Sequence, residues 1–170
     1  MLTIRGILHP TDFSDLSNNA FRLACSLADD YHAPLYVLHV STAFEAYKGE
    51  LIWDEHPAQY LAKDWERLGK LQHHGLEIHR CLEEGDPAEQ ILHMASILPC
   101  DFIVMGSHGR SGLNRFLLGS VSEHVVRGAA CQVLIVKAPF VALEEPDNGD
   151  SVDPVAADAI SAHGSPHLPR

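Results

Sequence analysis

Apolar positions along the chain fall into two alternating patterns. Short, largely apolar runs occur at Ile4 to His9, Leu35 to Val40, Glu77 to Leu82, Phe102 to Met105 and Gln132 to Val136, and each reads as a strand. Between the first two, Leu16, Ala20, Leu23, Ala24, Leu27, Ala28 and Tyr31 recur every three or four residues, which predicts a helix over 16–31 with one apolar stripe. A second helix is expected from Ala58 to His73, carrying Tyr60, Leu61, Trp65, Leu68 and Leu71, with Gly75 as its terminator. The third has a sharp start: Asp86 can cap, Pro87 suits the first helical position, and Glu89 stands where a capping box needs it, before Ile91, Leu92, Ala95 and Leu98. A fourth opens at Gly119-Ser120 and runs to about Arg127. Strands alternating with helices imply an α/β fold, a parallel sheet with helices on both faces and right-handed crossovers.

The fourth strand runs into Gly106-Ser107-His108-Gly109, and Gly119-Ser120 opens the following helix. Glycines there would let the main chain take left-handed angles and approach a ligand, and amides at a helix mouth suit an anion. Neither a Walker A loop nor a G-x-G-x-x-G fingerprint is present. The first strand ends in His9-Pro10-Thr11-Asp12-Phe13-Ser14, at the same sheet edge if the first and fourth strands are neighbours. Asp12 has two readings: Asp12 or Ser14 caps the first helix, or Asp12 accepts hydrogen bonds from ribose hydroxyls.

The run from Val104 through Gly112, with Gly119-Ser120-Val121 beyond it, resembles the G-x2-G-x9-G-S/T signature of universal stress proteins. That resemblance implies a doubly wound, Rossmann-like five-stranded parallel sheet of order 3-2-1-4-5. It also implies an adenine nucleotide, ATP, as ligand; because amides and a helix N-terminus neutralise only part of a triphosphate, a divalent cation, Mg2+ or Mn2+, is expected with it. By the same resemblance Pro10, Thr11 and Asp12 lie near adenine and ribose, and Val40 offers backbone to the adenine edge. Met105, Gly106, His108 and Gly109 line the phosphate turn, while Gly119, Ser120 and Val121 hold the distal phosphates. Arg110, and less so Arg115, are candidate cationic contacts; both also read as solvated loop arginines. Relatives that bind ATP pair through the final strand, which implies a homodimer across Val133–Val136; its apolar, β-branched edge agrees. The alternative is that the chain after Ala138 covers that edge.

Composition narrows the function classes. A chain of 170 residues, 46 % hydrophobic and 21 % charged, has material for one complete core. Its net charge of −11 excludes a nucleic-acid backbone or an anionic membrane as the expected partner. With no leader before the first strand and no membrane-length apolar run, a cytoplasmic location is expected. Cys25, Cys81, Cys100 and Cys131 form no C-x-x-C pair, so buried free thiols are expected. Twelve histidines include no H-x3-H or H-E-x-x-H spacing, and no metal site is assigned. Pro139, Pro146, Pro154, Pro166 and Pro169 are half of the ten prolines, in an acidic stretch; residues 1–138 are read as the nucleotide-binding domain and 139–170 as a flexible tail.

For function, the leading expectation is an ATP-binding regulatory module for stress tolerance, with slow or absent hydrolysis and a protein partner not legible in the sequence. A weak ATPase or AMP-forming enzyme on the same fold and an empty-site interaction module are the alternatives. Phosphoryl transfer needs a positioned water, a metal clamp and a cation, of which only fragments are visible. A Ser107-His108 nucleophilic pair is not expected, because neighbours on a turn do not face each other as a relay requires. The segment 41–56 reads equally as a lid, a partner surface or plain packing.

Overall fold

The computed structural model describes residues 3–42, 57–108 and 118–137. In chain order these form β1 (Ile7–Pro10), α1 (Asp15–Tyr31), β2 (Leu35–Ser41), α2 (Pro57–Gly69), β3 (Ile78–Glu84), α3 (Pro87–Ile97), β4 (Phe102–Gly106), α4 (Ser120–Gly128) and β5 (Gln132–Val136). All strand pairings are parallel, in the order β3-β2-β1-β4-β5, so the α/β, Rossmann-like architecture holds. The chain winds outward from β1 in one direction and then, from β4, in the other. The two directions meet between β1 and β4.

Uninterrupted apolar runs are what a sheet covered on both faces requires. Successive residues of β1 illustrate it: Ile7 packs with Ala20, Ala24 and Ala28 of α1 and Leu68 of α2, whereas Leu8 packs with Ile91 and Met94 of α3 and Val125 of α4. The apolar stripe of α1 thus serves one face, and small residues let that helix lie close. Its start is capped by Ser14, whose hydroxyl accepts from Ser17 N at 3.3 Å. Asp86 caps α3 through Glu89 N at 2.9 Å, with Pro87 in the first turn.

Several boundaries differ from expectation. The first strand starts at Ile7, not Ile4, because ladder pairing begins where Ile7 meets Leu35 and Phe102. Before it, Arg5 N is held by the Asp101 carboxylate at 2.7 Å, a side-chain tie outside the ladder. The second helix ends at Gly69, short of His73. There Lys70 N and Leu71 N turn to Arg67 O and Leu68 O, and the Arg80 guanidinium donates to Leu68 O (3.0 Å) and Leu71 O (2.6 Å). Captured by a cation from β3, those end carbonyls need no further turn. Gly75, at φ +80°, shapes the connection into β3. Trp65, expected on the apolar stripe, is 48 % exposed.

As expected, β5 lies at a sheet edge, and Leu134 on it and Val126 on α4 are exposed. The segment 43–56, most of the phosphate loop (Gly109, Arg110 and Arg115 among it) and the tail 139–170 lie outside the described residues. Among the described residues no helix is long and apolar enough to cross a membrane.

Candidate functional site

Beyond the carboxyl ends of β1 and β4, two connections face each other where the winding direction reverses, the usual place for a ligand in an open α/β sheet. The first, Thr11 to Ser14, is held by its own side chains. Thr11 Oγ1 accepts from Phe13 N at 3.0 Å and from Ser17 Oγ at 2.9 Å, and Asp12 Oδ1 accepts from Ser14 N at 3.0 Å. Ser14 is therefore the helix cap, and Asp12 braces the turn that leads into it. Phe13 takes φ 62°, a strained value for a bulky residue. Its ring is clasped between His39, with centroids 4.5 Å apart, and the Arg67 guanidinium, 4.0 Å from the ring centre.

His39, on β2, fixes the same turn from below. Its Nδ1 lies 2.7 Å from Thr11 O, and since a carbonyl only accepts, Nδ1 carries the proton. Nε2 is 3.6 Å from Asp64 Oδ1 on α2. His9, one strand over, is fully buried and its Nδ1 donates to Val104 O at 2.8 Å, while Nε2 has no hydrogen-bond partner. Burial lowers its pKa to about 4, because an added proton on Nε2 would be a charge without an acceptor.

The second connection is stitched together at Ser107. Its amide donates to Val136 O at 3.0 Å, and its carbonyl accepts both Gly119 N and Ser122 Oγ at 2.8 Å. Ser122 Oγ also reaches Gly119 O at 2.9 Å. These bonds set the mouth of α4 directly over the end of β4. Gly119 caps α4 with no side-chain hydrogen bond, which leaves the first-turn amides of Ser120, Val121 and Ser122 pointing out of the helix start.

Two glycine expectations change in detail. Gly106 is not left-handed; a Cβ there would lie 3.2 Å from Leu16 C and 3.3 Å from Ser17 N, so its bareness admits the first turn of α1. The Gly119 amide is already spent on Ser107 O, which among the described residues leaves an anion the amides after it. The expectation that Ser107 and His108 do not meet also fails: Ser107 Oγ and His108 Nδ1 are 3.0 Å apart. What a relay lacks among the described residues is the third member, since His108 Nε2 is buried with no hydrogen-bond partner there.

Between the two connections lies a cavity of about 200 Å³. Pro10, Thr11, Asp12, Val40, Met105, Gly106, His108, Gly119, Ser120 and Val121, singled out from four separate stretches of sequence, all line it. Ser17, Leu38, His39, Pro87, Ile91 and Ser122 line it too and were not anticipated. Leu38, Pro87 and Ile91 give one end an apolar wall suited to a flat ring, and the α4 start makes the other end polar. Asp12 is the cavity's one carboxylate among the described residues, and none of its described lining residues is Lys or Arg. No cluster of three metal-ligating side chains occurs among the described residues.

The model described as "Universal stress protein family" matches residues 3–137. Universal stress protein MJ0531 of Methanocaldococcus jannaschii is 37 % identical over 139 residues, covering 78 % of this chain and 82 % of that protein. Universal stress protein YxiE of Bacillus subtilis is 32 % identical over 139 residues, 74 % of this chain and 94 % of its own. Among solved structures, MJ0577 of M. jannaschii superposes with a TM-score of 0.71 at 27 % identity, over 79 % of this chain and 96 % of that one. A universal stress protein solved in complex with cAMP shares the fold at 24 % identity and a TM-score of 0.56, over 81 % of this chain and 100 % of that one.

Proposed function

The chain belongs to the universal stress protein family, and on that premise we propose that its cavity binds ATP and that the protein acts as a nucleotide-responsive regulatory module. One observation carries this reading: ten residues from four stretches of sequence converge on one cavity at the switch point of the sheet, with a helix start that has no side-chain cap at its polar end. Adenine lies against Leu38, Val40 and Ile91, with the Val40 backbone at its edge. The ribose hydroxyls meet Asp12, and the phosphates meet the amides of Ser120 and Val121 beside Gly106 and His108. Gly109 and Arg110, outside the described residues, are assigned to the phosphate side by the resemblance alone.

A triphosphate carries more charge than a few amides neutralise, and no Lys or Arg lines the described wall. A divalent cation, Mg2+ or Mn2+, fits this donor set, in which Asp12 is the one described side chain that would help hold it beside the phosphates. Bound there, it would neutralise phosphate charge. Turnover is slow or absent, because among the described residues the Ser107-His108 pair has no carboxylate behind it to orient a base. Two chains pair across β5, whose open edge and exposed Leu134 invite a symmetric partner strand. The test is native mass spectrometry of the purified full chain, with and without added ATP and Mg2+. One nucleotide per chain in a dimer supports the reading; absence of bound nucleotide at millimolar ATP removes it. Phosphate release faster than about 1 per second, lost in His108→Ala, would make the protein an ATPase instead.

A further inference from the structure

At the end of the sheet opposite the cavity, two thiols sit in contact. Cys100, two residues before β4, and Cys131, one residue before β5, have their Sγ atoms 4.0 Å apart. The backbones entering the two strands are already bonded there, Gln132 N to Asp101 O at 3.1 Å. Phe102 pairs with Gln132, so Cys100 and Cys131 stand one residue out of register; strands roughly 4.8 Å apart with a rise of about 3.3 Å per residue put their Cα atoms roughly 5.8 Å apart, inside the range of about 4.4–6.8 Å that a disulfide tolerates. Closing the sulfurs to about 2.05 Å is then within reach of side-chain rotation. Cys25 belongs to α1 and packs on the other face, and Cys81 is on β3 at the far edge of the sheet.

We propose that Cys100 and Cys131 are a redox modification site that forms a reversible intrachain disulfide on reaction with hydrogen peroxide. Cys131 is half-buried and Cys100 buried, so Cys131 reacts first. Burial and the adjacent Cys131 push the Cys100 thiol up to about 12, so Cys100 stays protonated and is the slower of the two to meet peroxide. The Cys131 thiolate attacks one peroxide oxygen, the O–O bond breaks, and the second oxygen leaves as hydroxide and takes up a proton to become water. The Cys100 sulfur then attacks the Cys131 sulfenic sulfur, the S–S bond forms, and the hydroxyl departs with the Cys100 proton as a second water. Two thiols and one peroxide thus yield one disulfide and two waters, the sulfurs giving up two electrons. A dithiol reverses the change.

The position of the pair gives the bond a consequence. Every residue between Cys100 and Cys131 becomes part of one closed loop, which contains β4, the Ser107 junction, the Gly119-Ser120 step and α4. Oxidation therefore ties the base of the segment that carries one wall of the cavity. The chemistry itself stands whether or not the cavity holds nucleotide.

The full chain, reduced and then exposed to millimolar hydrogen peroxide, is digested with trypsin without reduction and analysed by tandem mass spectrometry. Cleavage after Arg80, Arg110, Arg127 and Lys137 places Cys81 and Cys100 in one peptide and Cys131 in another. The expected product is a cross-linked pair two hydrogens lighter than the separate peptides, with fragments locating the bond at Cys100. It persists in Cys81→Ser, disappears in Cys131→Ser and is reversed by dithiothreitol. Loop closure should raise the melting temperature by roughly 5 °C or more in the wild type and not in Cys131→Ser. Cys131→Ser changes the half-buried partner, so the test survives if Cys100→Ser does not fold. Cross-linking through Cys81, a predominantly interchain bond, over-oxidation of Cys131 alone, or unreacted thiols would each overturn the proposal.

Discussion

Ser120→Pro removes a single amide from the mouth of α4 while leaving the helix in place. Ser120 is the first helical residue and is exposed, and proline is well tolerated there because that N–H has no partner within the helix. The residue before it, Gly119, sits at φ −66° and ψ 158°, the extended region that a following proline requires. If the Ser120 amide donates to a phosphate oxygen, its loss forfeits one hydrogen bond to a charged acceptor, about 1.5–3 kcal/mol. That corresponds to roughly a 10- to 150-fold rise in Kd for ATP. Ser120→Ala is the necessary comparison, since it deletes the hydroxyl and keeps the amide. Isothermal titration calorimetry with ATP and Mg2+ on both variants, with circular dichroism to verify the fold, separates the two contributions. Equal affinity of a folded Ser120→Pro and Ser120→Ala would refute the idea that main-chain amides at this helix grip the phosphates.

Acid should destabilise the protein through His9. Its folded pKa of about 4 lies below the ordinary value of 6.5, so as pH falls the unfolded chain takes up the proton first. The contribution is complete above pH 6.5 and declines by about 3 kcal/mol on the way to pH 4. Urea melts across that range should show a shallower slope for His9→Gln than for the wild type; matching slopes, or an NMR titration of His9 near 6.5, would contradict it. Gly106→Ala forces a methyl against the α1 backbone at 3.2–3.3 Å and should cost about 1–3 kcal/mol by urea melt, together with weaker ATP binding as Ser17 and Thr11 shift. An unchanged melt would show that α1 yields freely there.

Much of this was legible because one physical rule governed each stretch. Parallel strands buried on both faces must be apolar runs, so Leu35 to Val40 and Phe102 to Met105 announced themselves, and Asp86-Pro87 marked a helix start by local chemistry alone. The strand order came through the resemblance carried by Gly106, Gly119 and Ser120, since periodicity does not say which strands are neighbours. Distant partners decided what remained hidden. The end of α2 is set by Arg80 from the next strand, and Gly75 was the misleading local signal. Ser122 reads as an ordinary helix serine until Ser107 O is found beside it. Leu38, Pro87 and Ile91 are core or cap residues by pattern, and only the packing of α3 on β2 turns them into a cavity wall. The pairing of Cys100 with Cys131 depends on adjacency of β4 and β5.

The most direct examination of ATP binding in this cavity is an NMR titration of methyl-labelled full-length chain with ATP and Mg2+. Leu38, Val40, Ile91, Met105 and Val121 should shift together and saturably at one equivalent per chain, while Val37 and Val104 on the other face of the sheet stay nearly fixed. Cavity methyls that remain unmoved at millimolar nucleotide, or shifts that gather on the opposite face instead, would contradict it.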